Sequence, residues 1–182
     1  MNGEFNAELS YFTELEPSLS PDITTAESNG SFGMDKAALR GHPIQVQIAQ
    51  YLKISELESL VLDEWTANYT IQNSVMTLSD FKLTSGNLGF ELSGTLNMVS
   101  DQINYNVTLL LPERFKRGIS TVISGRAADA LQLEDGRIAV PLRITGTTAS
   151  PQVRPNTEII ERVIEDRIRE GAGNVLRRLF GG

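Results

Sequence analysis

Catalysis and metal binding need titratable or nucleophilic side chains brought within a few ångströms, and this chain offers few of them. It has one histidine, His42, and no cysteine. A single imidazole leaves no histidine-rich metal site, and the lack of thiols removes both thiolate chemistry and disulfides. His42, set between Gly41 and Pro43, reads as a turn residue ahead of a helix. The carboxylate pairs Asp63–Glu64 and Glu134–Asp135 are adjacent in sequence. In extended backbone such neighbours point to opposite faces, so neither forms the facing pair of a glycosidase. Asp129 and Glu134 read as solvated residues near a helix end. Nucleophile-elbow, phosphate-loop and HExxH patterns are absent. The expectation is a protein that is not an enzyme and holds no metal and no cofactor. Asn29, Asn68 and Asn106 begin Asn-x-Ser/Thr triplets. The motif is common by chance, and two of these lie in expected strands, which makes them weak glycosylation sites.

The formal charge is −7, which argues against nucleic acid as a partner. The charge is uneven, since residues 1–35 carry seven acidic residues and no Lys or Arg. That pattern reads as a solvated face, because no EF-hand spacing accompanies it. No apolar run is long enough to form a transmembrane segment. The start, MNGEFNAEL, has neither the basic nor the apolar region of a signal peptide.

The elements that would position a site are mostly strands. Phe5, Ala7 and Leu9 alternate with polar residues, which predicts a strand with one buried face. Gly30–Asp35 predicts a short strand after an Asn29-Gly30 turn, with a start as early as Ser28. Residues 43–53 allow two readings. Ile44, Val46 and Ile48 alternate as in a strand, while Ile44, Ile48 and Leu52 recur at helix spacing behind Pro43. The helix is favoured, because Ala49–Lys53 break the alternation and proline suits a first helical position. Trp65–Ile71 and Val75–Leu83 predict two strands around an Asn73-Ser74 turn. The alternation resets at Ser79-Asp80, as a bulge or bend would require.

The strongest pattern follows. Leu88, Phe90, Leu92, Gly94, Leu96 and Met98 fall on one face of a strand. Beyond a turn near Ser100-Asp101, Ile103, Tyr105, Val107, Leu109 and Leu111 form the matching face of the next. So short a connection predicts an antiparallel hairpin. Its apolar face must be covered by helices, another sheet or a ligand. Residues 113–131 carry a helical stripe weakened at Gly118 and Gly125, by ~1 kcal/mol each; a short helix with a ragged loop is the alternative. Ile138, Val140, Leu142 and Ile144 predict a strand in which Pro141 demands an edge or a bulge. Residues 157–180 predict an amphipathic helix capped by Asn156 or Thr157 and interrupted at Gly171 and Gly173. Its contact residues are Ile160, Val163, Ile164, Ile168, Val175, Leu176 and Leu179. The fold class expected is α+β: a mostly antiparallel, twisted or curved sheet with covering helices and a C-terminal helix. Residues 1–156 form the β-rich domain, with embedded helices near 43–53 and 113–131, and residues 157–182 form the terminal helix and tail.

Two stretches carry a family resemblance. WTANYTIQNSVMTLSDFKLTSGNLGFELSGTLNMVSDQINYNVTLLL and GRIAVPLRITGTTASPQVRPN, with the earlier NGSFGMDKAALRG, resemble the C-terminal domain of the AsmA family over about 150 residues. The element VPLRITGT…P.VRP is the most specific part, and the terminal helix departs from the family pattern. The resemblance implies a piece of a large bacterial envelope protein on the periplasmic side of the inner membrane. It further implies a parent held by one N-terminal helix and linked to outer-membrane assembly and phospholipid movement. Two functions then compete. In the first, Phe90, Leu92, Leu96, Tyr105, Val107 and Leu109 line an apolar groove for phospholipid or another envelope lipid. A chain of ~15 methylenes gains up to ~12 kcal/mol on leaving water, an upper limit for a lipid that starts in a membrane. In the second, the domain is an end-cap that docks other envelope proteins through Ile160, Val163, Ile164, Ile168, Leu176 and Leu179.

Overall fold

The structure is a computed structural model that describes residues 5–20, 22 and 24–180, with the side-chain surroundings of all these except Phe5, Asp35 and residues 170–180. The chain is mostly antiparallel sheet, 48% strand and 25% helix, and belongs to the α+β class. One eight-stranded sheet has the order β1-β2-β5-β6-β7-β8-β9-β10. Its strands are β1 (Phe5–Phe12), β2 (Glu27–Asp35), β5 (Glu64–Gln72), β6 (Val75–Ser85), β7 (Leu88–Asn97), β8 (Gln102–Leu111), β9 (Ile138–Thr147) and β10 (Pro151–Pro155). Between β2 and β5 the chain leaves the sheet. There β3 (Ala38–Arg40) and β4 (Ser59–Val61) pair with each other around α1 (Pro43–Leu52) and a 3₁₀ turn at Ser55–Glu58.

Hairpins follow from turn residues that tolerate left-handed backbone. Asn73 and Ser74, at φ 51° and 60°, close β5 onto β6, the geometry a two-residue hairpin favours. Asn97 Oδ1 accepts the amides of Val99 and Ser100 and shapes the β7–β8 turn. The phase reset in β6 is a bulge. Register shifts between Leu78 and Phe81 against β7, and between Thr66 and Asn68 on β5 against β6. Asp80, at φ 51°, is the extra residue. It lets Leu78 and Phe81, three apart, face the same way.

The core lies where β8 and β9 meet the helices. Leu109, Leu111, Val140, Leu142 and Ile144 are fully enclosed. They share one apolar cluster with Leu52 of α1, Ile119 of α2 (Lys116–Ile119), Ala128 of α3 (Gly125–Ala130) and Ile160 of α4 (Thr157–Phe180).

Several expectations are corrected. The Asn29-Gly30 pair forms no turn: both residues lie inside β2, paired to Ser10 and Leu9 of β1. Among its described side chains β1 buries no face, since Asn6–Phe12 are all exposed and Leu9 is 63% accessible; the helices pack at the other end of the sheet. Residues 113–131 are not one helix but a 3₁₀ turn at Glu113–Phe115 followed by α2 and α3, with Gly118 in the short α2 and Gly125 opening α3. β9 is not an edge strand, because β10 lies outside it. Pro141 is tolerated because its carbonyl accepts from the Asn156 amide, just past the end of β10. In a strand the N and C=O of one residue point to the same side, so the missing N–H faces the place where the partner strand has stopped. Finally, α4 runs unbroken through Gly171 and Gly173 to Phe180, about 36 Å at 1.5 Å per residue.

Candidate functional site

The register places one continuous row of side chains across the sheet. Trp65, Leu83 and Phe90 face Leu109 through successive pairings, and Leu78, Gly94 and Tyr105 form a parallel row. Over β9 and the Leu109–Leu111 end of β8 this face is sealed. Over β6 and β7 it is half open: Leu78, Phe81, Phe90, Leu92 and Leu96 are only partly buried. Between these residues and α1 lies a cleft of about 380 Å³, within the usual size range of small-molecule sites. Its opposite wall comes from Leu39 of β3, Ile44 and Ile48 of α1, and Leu57 and Leu60.

Five of the six residues expected to form a groove line this cleft: Phe90, Leu92, Leu96, Tyr105 and Val107. Leu109 does not. It is 0% exposed and sits two residues beyond Val107, where the helices close over the sheet. Sequence reading missed the second wall. Ile44 and Ile48 carried a helical i, i+4 signal, but nothing local says which sheet face that stripe meets. Beyond the cleft, the same face continues as an aromatic chain. Phe81 and Trp65 centroids are 6.0 Å apart, Trp65 and Phe32 meet edge-on at 5.1 Å, and Phe32 and Tyr69 lie 5.9 Å apart.

The polar groups in the cleft are few: His42, Gln45, Tyr105 and Thr148 among sixteen lining residues, none of them Lys, Arg, Asp or Glu. Gln45 is a structural brace. Its Nε2 donates to Leu39 O at 3.1 Å and Leu57 O at 2.7 Å, tying α1 to both neighbouring segments. Two carbonyl partners fix the amide orientation and leave Oε1 buried without a donor. Gln45→Leu is therefore expected to destabilise the protein by ~1–3 kcal/mol, because one buried and one part-buried carbonyl lose their donor; chemical denaturation measures it. Burial pushes the Tyr105 hydroxyl above its usual pKa, so it stays protonated throughout the neutral range.

The expected docking residues divide along α4. Asn156 caps the helix by accepting the Ile159 amide at 3.3 Å. Ile160 is buried, and Val163 and Ile164 pack against the core cluster. Ile168 is 53% exposed. The side chains of Val175, Leu176 and Leu179 lie outside the described residues. Arg167 Nη2 donates to Gln132 O at 2.7 Å, fastening the helix beside the segment after α3. No group of three or more metal-ligating side chains occurs among the described residues. No described helix is long and apolar enough to cross a membrane. Compared with protein-family models, curated proteins and solved structures, the chain finds no match.

Proposed function

We propose that this chain is a non-enzymatic domain of a bacterial envelope protein that shelters the acyl part of a phospholipid or other envelope lipid. In this reading the sheet is curved at its β6 bulge, the helices cover part of its apolar face, and the remainder is the lipid groove. One observation carries the reading: the apolar face is sealed at β9 and the Leu109–Leu111 end of β8 but opens at β6–β7 into a cleft whose walls hold twelve aliphatic or Phe side chains and no Lys, Arg, Asp or Glu. A domain that only needed a core would gain by closing this space, since each buried methylene contributes ~0.8 kcal/mol. The aromatic chain from Phe81 to Tyr69 extends the apolar path along the sheet. The periplasmic location, the role in outer-membrane assembly or lipid transport and the membrane-anchored parent rest on the resemblance of residues 65–111 and 136–156 to the AsmA family.

A second reading is an end-cap that docks other envelope proteins. What favours it is α4, anchored through Ile160 near its start yet presenting Ile168 to solvent. One experiment separates the two. The chain is produced in a bacterial periplasm, purified without detergent and analysed by native mass spectrometry with lipid extraction. Bound phospholipid at near one per chain is expected. Protein free of lipid, and unable to take up phospholipid from vesicles, would sink the groove and leave the end-cap.

A further inference from the structure

Building on the groove reading above, we infer that the cleft recognises the neutral linkage of an acylated molecule, an ester or amide carbonyl, through the Tyr105 hydroxyl, and leaves any charged head group outside. Tyr105 lines the cleft and is 6% exposed. Its backbone pairs with Gly94 on one side and Ile144 on the other, so its cross-strand neighbour on β7 has no side chain. No described residue hydrogen-bonds its hydroxyl. Among the described residues, the fully enclosed polar side-chain atom without a partner is Gln45 Oε1; the Tyr105 oxygen is thus unpartnered without being sealed, on a residue that lines the cleft. A protonated phenol in apolar surroundings is a strong donor in search of an acceptor.

The charge pattern completes the argument. A phosphate drawn into the cleft would lose its hydration with no Lys or Arg on the walls to replace it. An ester carbonyl loses far less and gains the Tyr105 donor. The chemistry therefore selects the junction between acyl chain and head group, not the head group.

The test uses two uncharged probes of similar length, methyl tetradecanoate and pentadecane, displacing an apolar fluorescent dye from the intact chain. Wild-type protein is expected to bind both. Tyr105→Phe, which removes one oxygen and keeps the ring, is expected to weaken the ester about five- to tenfold and leave pentadecane within about twofold. The variant's melting temperature should be unchanged or raised, because the lost hydroxyl has no protein partner. A parallel measurement needs no variant: the ¹³Cζ resonance of Tyr105 is expected to move with the ester and not with the hydrocarbon. Equal weakening of both probes, or none, with a static Tyr105 resonance would overturn the inference while leaving the groove standing. Binding of neither probe by wild-type protein would remove the groove reading and this inference together.

Discussion

Leu109→Ala is expected to destabilise the protein by about 2–5 kcal/mol, whereas Leu92→Ala, the same deletion on the neighbouring strand, should cost less than half as much. Leu109 is completely enclosed, flanked in register by Phe90 of β7 and Val140 of β9. Truncating it leaves a sealed void that loses dispersion contacts on every side. Leu92 pairs with Val107 one step along the same face but borders the open cleft. Removing its methyl groups enlarges a space that already has an exit, so the cavity penalty is small. Urea denaturation at constant slope measures both. Equal costs would mean that the face over β7 is closed, and the cleft would lose its standing as a ligand site.

Gly94→Ala should be comparably severe, between about 2 and 6 kcal/mol, from ~1–3 for backbone strain and ~1–3 for overpacking. Gly94 has φ 137°, a conformation side chains rarely adopt. A Cβ there would collide with the Asn104 carbonyl oxygen and come within 2.8 Å of Tyr105 Cα. Both obstacles are backbone of the paired strand and cannot swing aside. The expected result is a lower melting temperature together with loss of hydrogen-exchange protection in β7 and β8. Protection unchanged in those two strands would show that β7 can relax away from β8 without breaking the pairing.

Period-two alternation made the β6–β7–β8 block readable. Leu88–Met98 and Ile103–Leu111 each keep their phase for a whole strand, and one face is buried, so a slip by one residue would turn every large side chain into water. The bulge was legible for the same reason, since Leu78 and Phe81 can share a face only if one residue is extra. Three features were not legible because their cause lies elsewhere in the fold. Asn29-Gly30 has the composition of a turn, but Gly30 sits against β1, where a Cβ would strike the Glu8 carbonyl; close approach of backbones, not reversal, explains the glycine. Pro141 looked like an edge marker, and only the early end of β10 shows how an interior strand tolerates it. The cleft itself was half visible. Its sheet wall follows from alternation, but its α1 wall depends on how the 28-residue excursion from Lys36 to Asp63 folds back, and periodicity carries no long-range information of that kind.

The bulge at Asp80 also sets where the sequence can change length. A one-residue deletion at Thr77 or Lys82 would turn Met76 and Leu78, or Phe81 and Leu83, to opposite faces of the sheet. Deletion of Asp80 would restore plain alternation, with Leu78 inward, Ser79 outward and Phe81 inward, and cost only the local bend; deletion of Ser79 would do the same with Asp80 outward. This strand therefore tolerates an evolutionary gap at Ser79-Asp80 with its hydrophobic face still in frame, and that pair includes the left-handed residue at φ 51°.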